Sequence, residues 1–177
     1  PTLSAICSGK GLTMLDEYMK TQGFDEKFSW EPPIKNVAGV ERRDHYIAKV
    51  YDYPAAMREK SVREREDLLM QTRLALRLMG EPDGSLFAFS FYPDVLTLKE
   101  VGDPLQLGEF FGIEKSGIKA KIVLAQGRQN TNYAIYLYAC HPFFIQGYAT
   151  MTNGENTAFV PIREFLSGRG NPGYMGY

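Results

Sequence analysis

The chain has 177 residues, which fits one domain of ordinary size. Apolar residues make up 44% of it and charged residues 23%, so disorder as the default state is excluded. Twenty Lys and Arg residues face 21 Asp and Glu residues, and this balance argues against a strong nucleic-acid binder, which needs excess positive charge. The aromatic share is 13%, with 11 Tyr, 11 Phe and one Trp.

The first part of the chain predicts a strand, a short helix, a loop and a second strand. Residues 2–7 suit a strand, and the short N-terminal helix after it has Thr13 in an N-cap position and closes at Gly23. Residues 24–40 show little periodicity, so we expect an ordered loop there. Residues 45–51 alternate between two faces and predict a strand.

A long amphipathic helix is predicted over about residues 55–79. It begins either at Pro54 or after the capping box Ser61-x-x-Glu64, and it ends before Gly80. Apolar side chains recur on one side of it, at Val62, Leu69, Leu76 and Met79. That side is expected to pack on a sheet.

Beyond Gly80 the periodicity changes to two, which predicts an antiparallel sheet of five to six strands, mostly within residues 85–161. The expected strands are Leu86–Tyr92, Val95–Val101, Ile118–Leu124, Tyr133–Cys140, Phe143–Met151 and Thr157–Pro161. Asn153-Gly154 predicts a type I′ turn, and a short helix follows at Ile162–Leu166. Strands that follow helices in this way favour an α+β fold with the long helix packed on one face.

Residues 1–167 are expected to form a single α+β domain, followed by a docked Gly-rich and aromatic tail at 168–177. No signal peptide is visible, and the most apolar stretch, 133–145, is too short to span a bilayer. We therefore expect a soluble protein that is cytoplasmic or internal to an assembly.

Cys140 and His141 are the only adjacent nucleophile and base in the sequence. Neighbouring side chains on a strand point to opposite faces, so His45 would have to supply the base. The competing interpretation makes Cys140 a small buried apolar residue and His141-Pro142 a turn. Cys7 and Cys140 are expected to be free thiols. No metal-ligand spacing is present, and no metal or cofactor is expected.

Pro1 is a second candidate base, because an N-terminal proline amine has a lower pKa than lysine. In this respect the chain resembles the tautomerase superfamily, and the resemblance covers Pro1 and the expected strand Thr2–Cys7. It implies a small enzyme in which the Pro1 amine acts as the base.

The segment Ser8-Gly9-Lys10-Gly11-Leu12-Thr13 superficially suggests a phosphate-binding loop. It lacks the Walker spacing, because Gly11 stands where Ser or Thr belongs. A turn that enters a helix is the favoured interpretation, although a helix N-terminus could still hold an anion.

Aromatic residues in the expected strands predict a binding surface. Phe87, Phe89 and Phe91 should share one face of a strand, and low charge combined with Tyr, Phe and Met is typical of an interface core. The sheet could therefore have one face under the helix and the other against a subunit or partner. The residues expected to bind are Tyr136, Tyr138, Arg128, Tyr174 and Tyr177.

These patterns predict a non-enzymatic interaction or assembly protein. It would associate with itself as a homo-oligomer, or with a protein partner, through its aromatic sheet face and tail. One alternative is a small enzyme that uses Pro1 or the set of Cys140, His141 and His45. Another is a single-strand nucleic-acid binder, in which Lys119, Lys121 and Arg128 lie near the tyrosines. Nucleic acid is the less favoured partner, and no membrane partner is expected.

Overall fold

The computed structural model describes residues 1–127, 137, 140–151 and 158–169. Its first part contains four strands and two long helices. In chain order these are β1 (Thr2–Cys7), α1 (Gly9–Thr21), β2 (Asp25–Trp30), β3 (His45–Asp52), α2 (Val62–Gly80) and β4 (Leu86–Tyr92), with a 3-10 turn at Ala55–Met57. The later elements are α3 (Pro104–Phe110), a 3-10 turn at Ile113–Lys115, β5 (Phe143–Ile145), β6 (Tyr148–Thr150) and α4 (Phe159–Gly168).

The first four strands form one antiparallel sheet in the order β2-β3-β1-β4. β1 lies between its neighbours, with Ser4 opposite Ala48 on β3 and Ser90 on β4. A βαββαβ chain with this strand order has the split βαβ arrangement of ferredoxin-like folds. The predicted α+β class with an antiparallel sheet is therefore confirmed, and β5 and β6 form a separate two-stranded sheet.

The predicted position of the main sheet is wrong. Among the described residues of 85–161, only β4 belongs to it, and the other three strands come from residues 2–52. The expected strand 95–101 instead crosses the face of the sheet. There the Thr97 backbone N–H donates to Ser4 Oγ at 3.1 Å, and the Thr97 hydroxyl donates to Ser90 Oγ at 2.9 Å.

Other expected strands also differ. Residues 118–124 have no regular structure. The expected strand 143–151 is a hairpin, because Gln146 and Gly147 turn the chain with φ of 44° and 81°. Of the expected strand 157–161, residues 159–161 are the start of α4, which also contains the expected helix Ile162–Leu166. Most of Tyr133–Cys140 and all of Asn153-Gly154 lie outside the described residues.

β2 occupies residues that were expected to form a loop. It is an edge strand that pairs with β3 alone in the main sheet, and Asp25 to Ser29 are exposed. With few side chains to bury, the strand shows no clear apolar alternation. Backbone pairing with β3 therefore determines its structure.

Capping groups set where both long helices begin. α1 starts at Gly9, because Ser8 Oγ accepts a hydrogen bond from the Gly11 backbone N–H at 3.2 Å, so the expected Thr13 cap is wrong. α2 starts at Val62, after a complete capping box between Ser61 and Glu64. This decides between the two predicted starts and shortens the expected 55–79 helix at its N-terminal end.

The main core lies between the sheet and the two long helices. It includes Leu3, Ala5, Leu15, Met19, Ile47, Tyr51, Leu69, Leu76, Leu86 and Phe91. The expected grouping of Phe87, Phe89 and Phe91 on one face is wrong, because β4 has a bulge where it pairs with Ser4 and Ala5. Phe91 therefore packs in the helix-side core, whereas Phe89 packs on the opposite side of the sheet.

The chain itself covers the side of the sheet that faces away from α1 and α2, which we call the far face. Phe110, Phe111 and Leu137 pack there on Ile6 and Tyr46. A second layer of aromatic residues is thus buried without a partner subunit. Within the described residues, no helix is long and apolar enough to cross a bilayer.

Candidate functional site

The two cysteines are free thiols, as predicted. Cys7 is buried, and burial raises the pKa of its thiol to about 12, with the charges of Asp16 and Glu31 acting in the same direction. A thiol with such a pKa is protonated at neutral pH and is a poor nucleophile.

The two histidines of the predicted set Cys140, His141 and His45 contact different neighbouring residues. His45 Nδ1 lies 3.6 Å from a carboxylate oxygen of Glu31. The His141 ring packs on Phe143, with ring centroids 4.6 Å apart. Within the described ranges, no group of three or more His, Cys, Asp or Glu residues is placed to hold a metal ion. Catalysis by this set remains a prediction.

Pro1 is attached to the end of the sheet. Its carbonyl oxygen accepts a hydrogen bond from the Tyr51 backbone N–H at 2.9 Å. Burial lowers the pKa of the Pro1 amine, and the charges of Asp52 and Asp94 act in the opposite direction. The use of this amine as a base stays a prediction.

The N-terminus of α1 packs closely against the turn that precedes β4. The Ser8 backbone N–H donates to the Ser85 carbonyl oxygen at 2.9 Å, and Lys10 Nζ lies 2.6 Å from a carboxylate oxygen of Asp83. The segment 8–13 is therefore the N-cap and first residues of α1, so the helix begins earlier than the predicted turn allowed.

The predicted binding residues Arg128, Tyr136, Tyr138, Tyr174 and Tyr177 lie outside the described residues. Lys119 and Lys121, the other members of the predicted nucleic-acid surface, are exposed in a segment without regular structure. Both binding surfaces remain predictions.

Two buried lysines are chemical features that the motif analysis missed. The side chain of Lys49 is 8% exposed, and its Nζ lies 2.7 Å from Asp16 Oδ1 and 2.9 Å from Glu26 Oε2. Burial alone would lower the pKa of Lys49, but the hydrogen bonds to the two carboxylates outweigh it and raise the pKa above its ordinary value. The alternation of residues 45–51 already places Lys49 on the face of Ile47 and Tyr51.

Lys99 lies in a different environment on the far face. Its Nζ donates to the Cys140 carbonyl oxygen at 2.5 Å and lies 5.2 Å from the ring centroids of both Phe89 and Phe143. Burial lowers the pKa of Lys99 to about 8, and the Arg73 charge adds to this, while Cys140 acts in the opposite direction. Among the described residues, no carboxylate forms an ion pair with Lys99 to offset this burial.

Replacing Lys99 by methionine should raise the free energy of unfolding at pH 7 by about 1–2 kcal/mol, because it removes a buried charge without a carboxylate partner. The lysine pKa is about 8 when folded and 10.5 in its ordinary state, so the burial cost is complete below pH 8. Between these values the unfolded chain binds more protons, and the stability of the native sequence rises with pH. The advantage of the variant should therefore shrink towards pH 10.5, as measured by urea unfolding across that range.

Lys49→Met is the matched comparison for that experiment. It removes the partner of Asp16 and Glu26, so it should lower the free energy of unfolding by about 1 kcal/mol at pH 7. Two results would contradict the different environments of Lys49 and Lys99. One is an equal change in the free energy of unfolding for both substitutions, and the other is a gain in stability of Lys99→Met that does not change with pH.

Large apolar side chains are exposed in two segments of the C-terminal third. Residues 118–124 form the first, in which Ile122 is 80% exposed and Val123 77%. The second is α4, in which Phe165 is 58% exposed. We call these segments the apolar segment and the apolar helix. Exposed apolar surface of this kind is a feature of interaction sites.

Comparison with protein-family models, with curated proteins and with solved structures found no match for this chain. The ferredoxin-like arrangement by itself does not indicate an activity, because such folds carry many unrelated functions.

Proposed function

We propose that this protein is a non-enzymatic interaction or assembly protein that associates with further copies of itself. The exposed apolar side chains of the apolar segment and the apolar helix carry the proposal. Their burial between subunits would stabilise an assembly, since apolar area removed from water contributes about 25 cal/mol per Å².

The far face of the sheet is a less suitable surface for this association. Its aromatic side chains already pack against Phe110, Phe111 and Leu137 of the same chain. We therefore propose the apolar segment and the apolar helix, in place of the sheet face, as the main contact between copies. The predicted tyrosines and the tail can extend that contact.

The charge distribution also supports self-association. Residues 132–177 carry only four charged side chains, Glu155, Arg163, Glu164 and Arg169. Two acidic and two basic residues leave no net charge, so two copies of the apolar helix would approach each other without strong repulsion, whereas the apolar segment carries the exposed Lys119 and Lys121. Depletion of charge is also the composition expected in the core of an interface.

Single charges placed on the two apolar surfaces test the proposal. Ile122→Asp and Phe165→Asp should each weaken self-association by about tenfold or more, because a buried unpaired charge costs well over 1.4 kcal/mol. Sedimentation equilibrium measures the change. Ser167→Asp adds the same charge at an exposed polar position of the apolar helix and serves as the control.

An equal effect of Ser167→Asp and Phe165→Asp would contradict the role of the apolar helix. A chain shortened after Ser167 separates the contribution of the tail. If that shortened chain associates as strongly as the full chain, the tail has no part in the contact.

A further inference from the structure

The apolar segment is the middle of a loop that projects from the body of the protein. The loop starts at the 3-10 turn Ile113–Lys115, after α3, and it returns where Gly127 packs on Pro104, the first residue of α3. A Cβ at Gly127 would lie only 2.5 Å from Pro104 Cγ, so this return is a close contact. Between the two ends, residues 117–125 are all exposed. The ends of the loop are thus held on the protein, and its middle lies in solvent.

The loop carries positive charge that the described part of the chain does not neutralise. Lys115, Lys119 and Lys121 are exposed, and none of them forms an ion pair with a described carboxylate. Residues 113–127 contain these three lysines and one acidic residue, Glu114, which leaves a net charge of +2. The whole chain has a net charge of -1, so this positive charge is a local feature. It favours a negatively charged partner.

Aliphatic side chains are interleaved with the lysines. Ile118, Ile122, Val123 and Leu124 are all exposed, and Lys119 and Lys121 lie among them. Two copies of the loop would bring lysines opposite lysines, so the charge opposes a contact between identical loops. A combination of basic and apolar side chains is typical of segments that bind the interface of an anionic bilayer, where phosphates and carboxylates lie above the acyl chains.

The same composition is less suited to a nucleic-acid strand. The lysines could pair with phosphates, but bases stack on aromatic side chains, and residues 113–127 contain no aromatic residue. The exposed aliphatic side chains would gain little from such a partner. A lipid surface accounts for both the charged and the apolar side chains.

The backbone of the loop determines how deeply it can enter a bilayer. Residues 118–124 have no regular structure, so their N–H and C=O groups need partners outside the chain. Water and headgroups supply such partners at the membrane surface, whereas the hydrocarbon core does not. The loop is therefore suited to lie at the boundary between headgroups and acyl chains and not to cross the bilayer.

We propose that the loop 113–127 binds the surface of an anionic lipid bilayer. Lys115, Lys119 and Lys121 pair with the lipid headgroups, and the aliphatic side chains of the apolar segment enter the upper part of the acyl region. The sequence patterns did not favour a membrane partner. Binding of this kind does not depend on self-association, and it competes with burial of the apolar segment between copies. The apolar helix remains available for that contact.

Cosedimentation of the full chain with lipid vesicles tests this surface. The chain should bind vesicles that mix phosphatidylserine with phosphatidylcholine, and it should bind vesicles of phosphatidylcholine alone about tenfold more weakly or worse, because the lysines then lose their partners. Lys121→Gln should weaken binding to the mixed vesicles about fivefold, which corresponds to about 1 kcal/mol, and the double variant Lys119→Gln, Lys121→Gln about 25-fold. Lys20→Gln makes the same charge change at an exposed position of α1 and should leave binding unchanged.

The substituted lysines are exposed, so the variants should fold and keep the thermal midpoint of the native sequence. No binding to the mixed vesicles would overturn the proposal, as would equal binding to both kinds of vesicle or equal losses in Lys20→Gln and Lys121→Gln. Binding of single-stranded oligothymidylate that depends on these lysines, without binding to vesicles, would overturn it in favour of nucleic acid.

Self-association is measured separately, by sedimentation equilibrium without vesicles. There the lysine substitutions remove repulsion between copies and should not weaken the assembly. A failure of membrane binding is therefore distinguishable from a failure of self-association.

Discussion

Replacing Glu100 by alanine should lower the free energy of unfolding by about 3–5 kcal/mol, because it breaks a buried ion pair and leaves its partners behind. The Glu100 side chain is fully buried, at 0% exposure. Its Oε2 accepts from Arg43 Nε at 3.0 Å and from the Tyr46 hydroxyl at 2.6 Å, and its Oε1 accepts from the Val101 backbone N–H at 2.8 Å. Arg43 is 30% exposed and stays partly hydrated, so the lower end of the range is expected.

Urea unfolding of the variant measures this loss. Glu114→Ala removes an exposed carboxylate of the same chain and should change the stability by less than about 0.5 kcal/mol. If Glu100→Ala and Glu114→Ala lowered the free energy of unfolding by similar amounts, this would contradict a stabilising role of the buried ion pair between Glu100 and Arg43.

Replacing Gly11 by alanine should destabilise the fold by about 3 kcal/mol, at the upper end of the range for overpacked positions. A Cβ at this position would lie 1.8 Å from the backbone oxygen of Ser85 and 3.1 Å from Cys7 Cβ. The obstacle is backbone, so α1 would have to move away from the turn before β4. That movement would break the hydrogen bond from Ser8 to Ser85.

Gly9 provides the control in the same helix. A Cβ there would meet nothing within 4 Å, so Gly9→Ala should be neutral or stabilise by up to about 1 kcal/mol through helix propensity. The thermal midpoint should therefore fall in Gly11→Ala and stay the same or rise in Gly9→Ala. A loss of stability in both would contradict the close approach of helix and turn as the cause.

Strongly patterned elements were predictable from the sequence. β1, β3 and β4 were expected at residues 2–7, 45–51 and 86–92, and the capping box at Ser61 gives the start of α2, which ends at Gly80 and not before it as expected. The edge strand β2 was not predictable, because its side chains are exposed and only its pairing with β3 reveals it.

The path of residues 95–101 shows another limit of local pattern. Alternation suits a strand, but Thr97 makes its hydrogen bonds to the side chains of Ser4 and Ser90 across the sheet face. Periodicity indicates that a segment is extended and leaves open which surface it contacts. Alternation also fails to show the bulge in β4, which separates Phe89 from Phe91.

The two buried lysines also differ in whether the sequence reveals them. Lys49 could have been found from the sequence, because it interrupts the apolar face of a strand that is otherwise well patterned. Lys99 could not, because its partners Phe89, Cys140 and Phe143 come together only in the fold.

The native mass of the unaltered chain, measured by sedimentation equilibrium over a wide range of concentration, tests the proposed function most directly. We expect a dimer or a larger assembly whose dissociation is promoted by Phe165→Asp and Ile122→Asp. A chain that stays monomeric at the highest concentration reached would contradict self-association as its function.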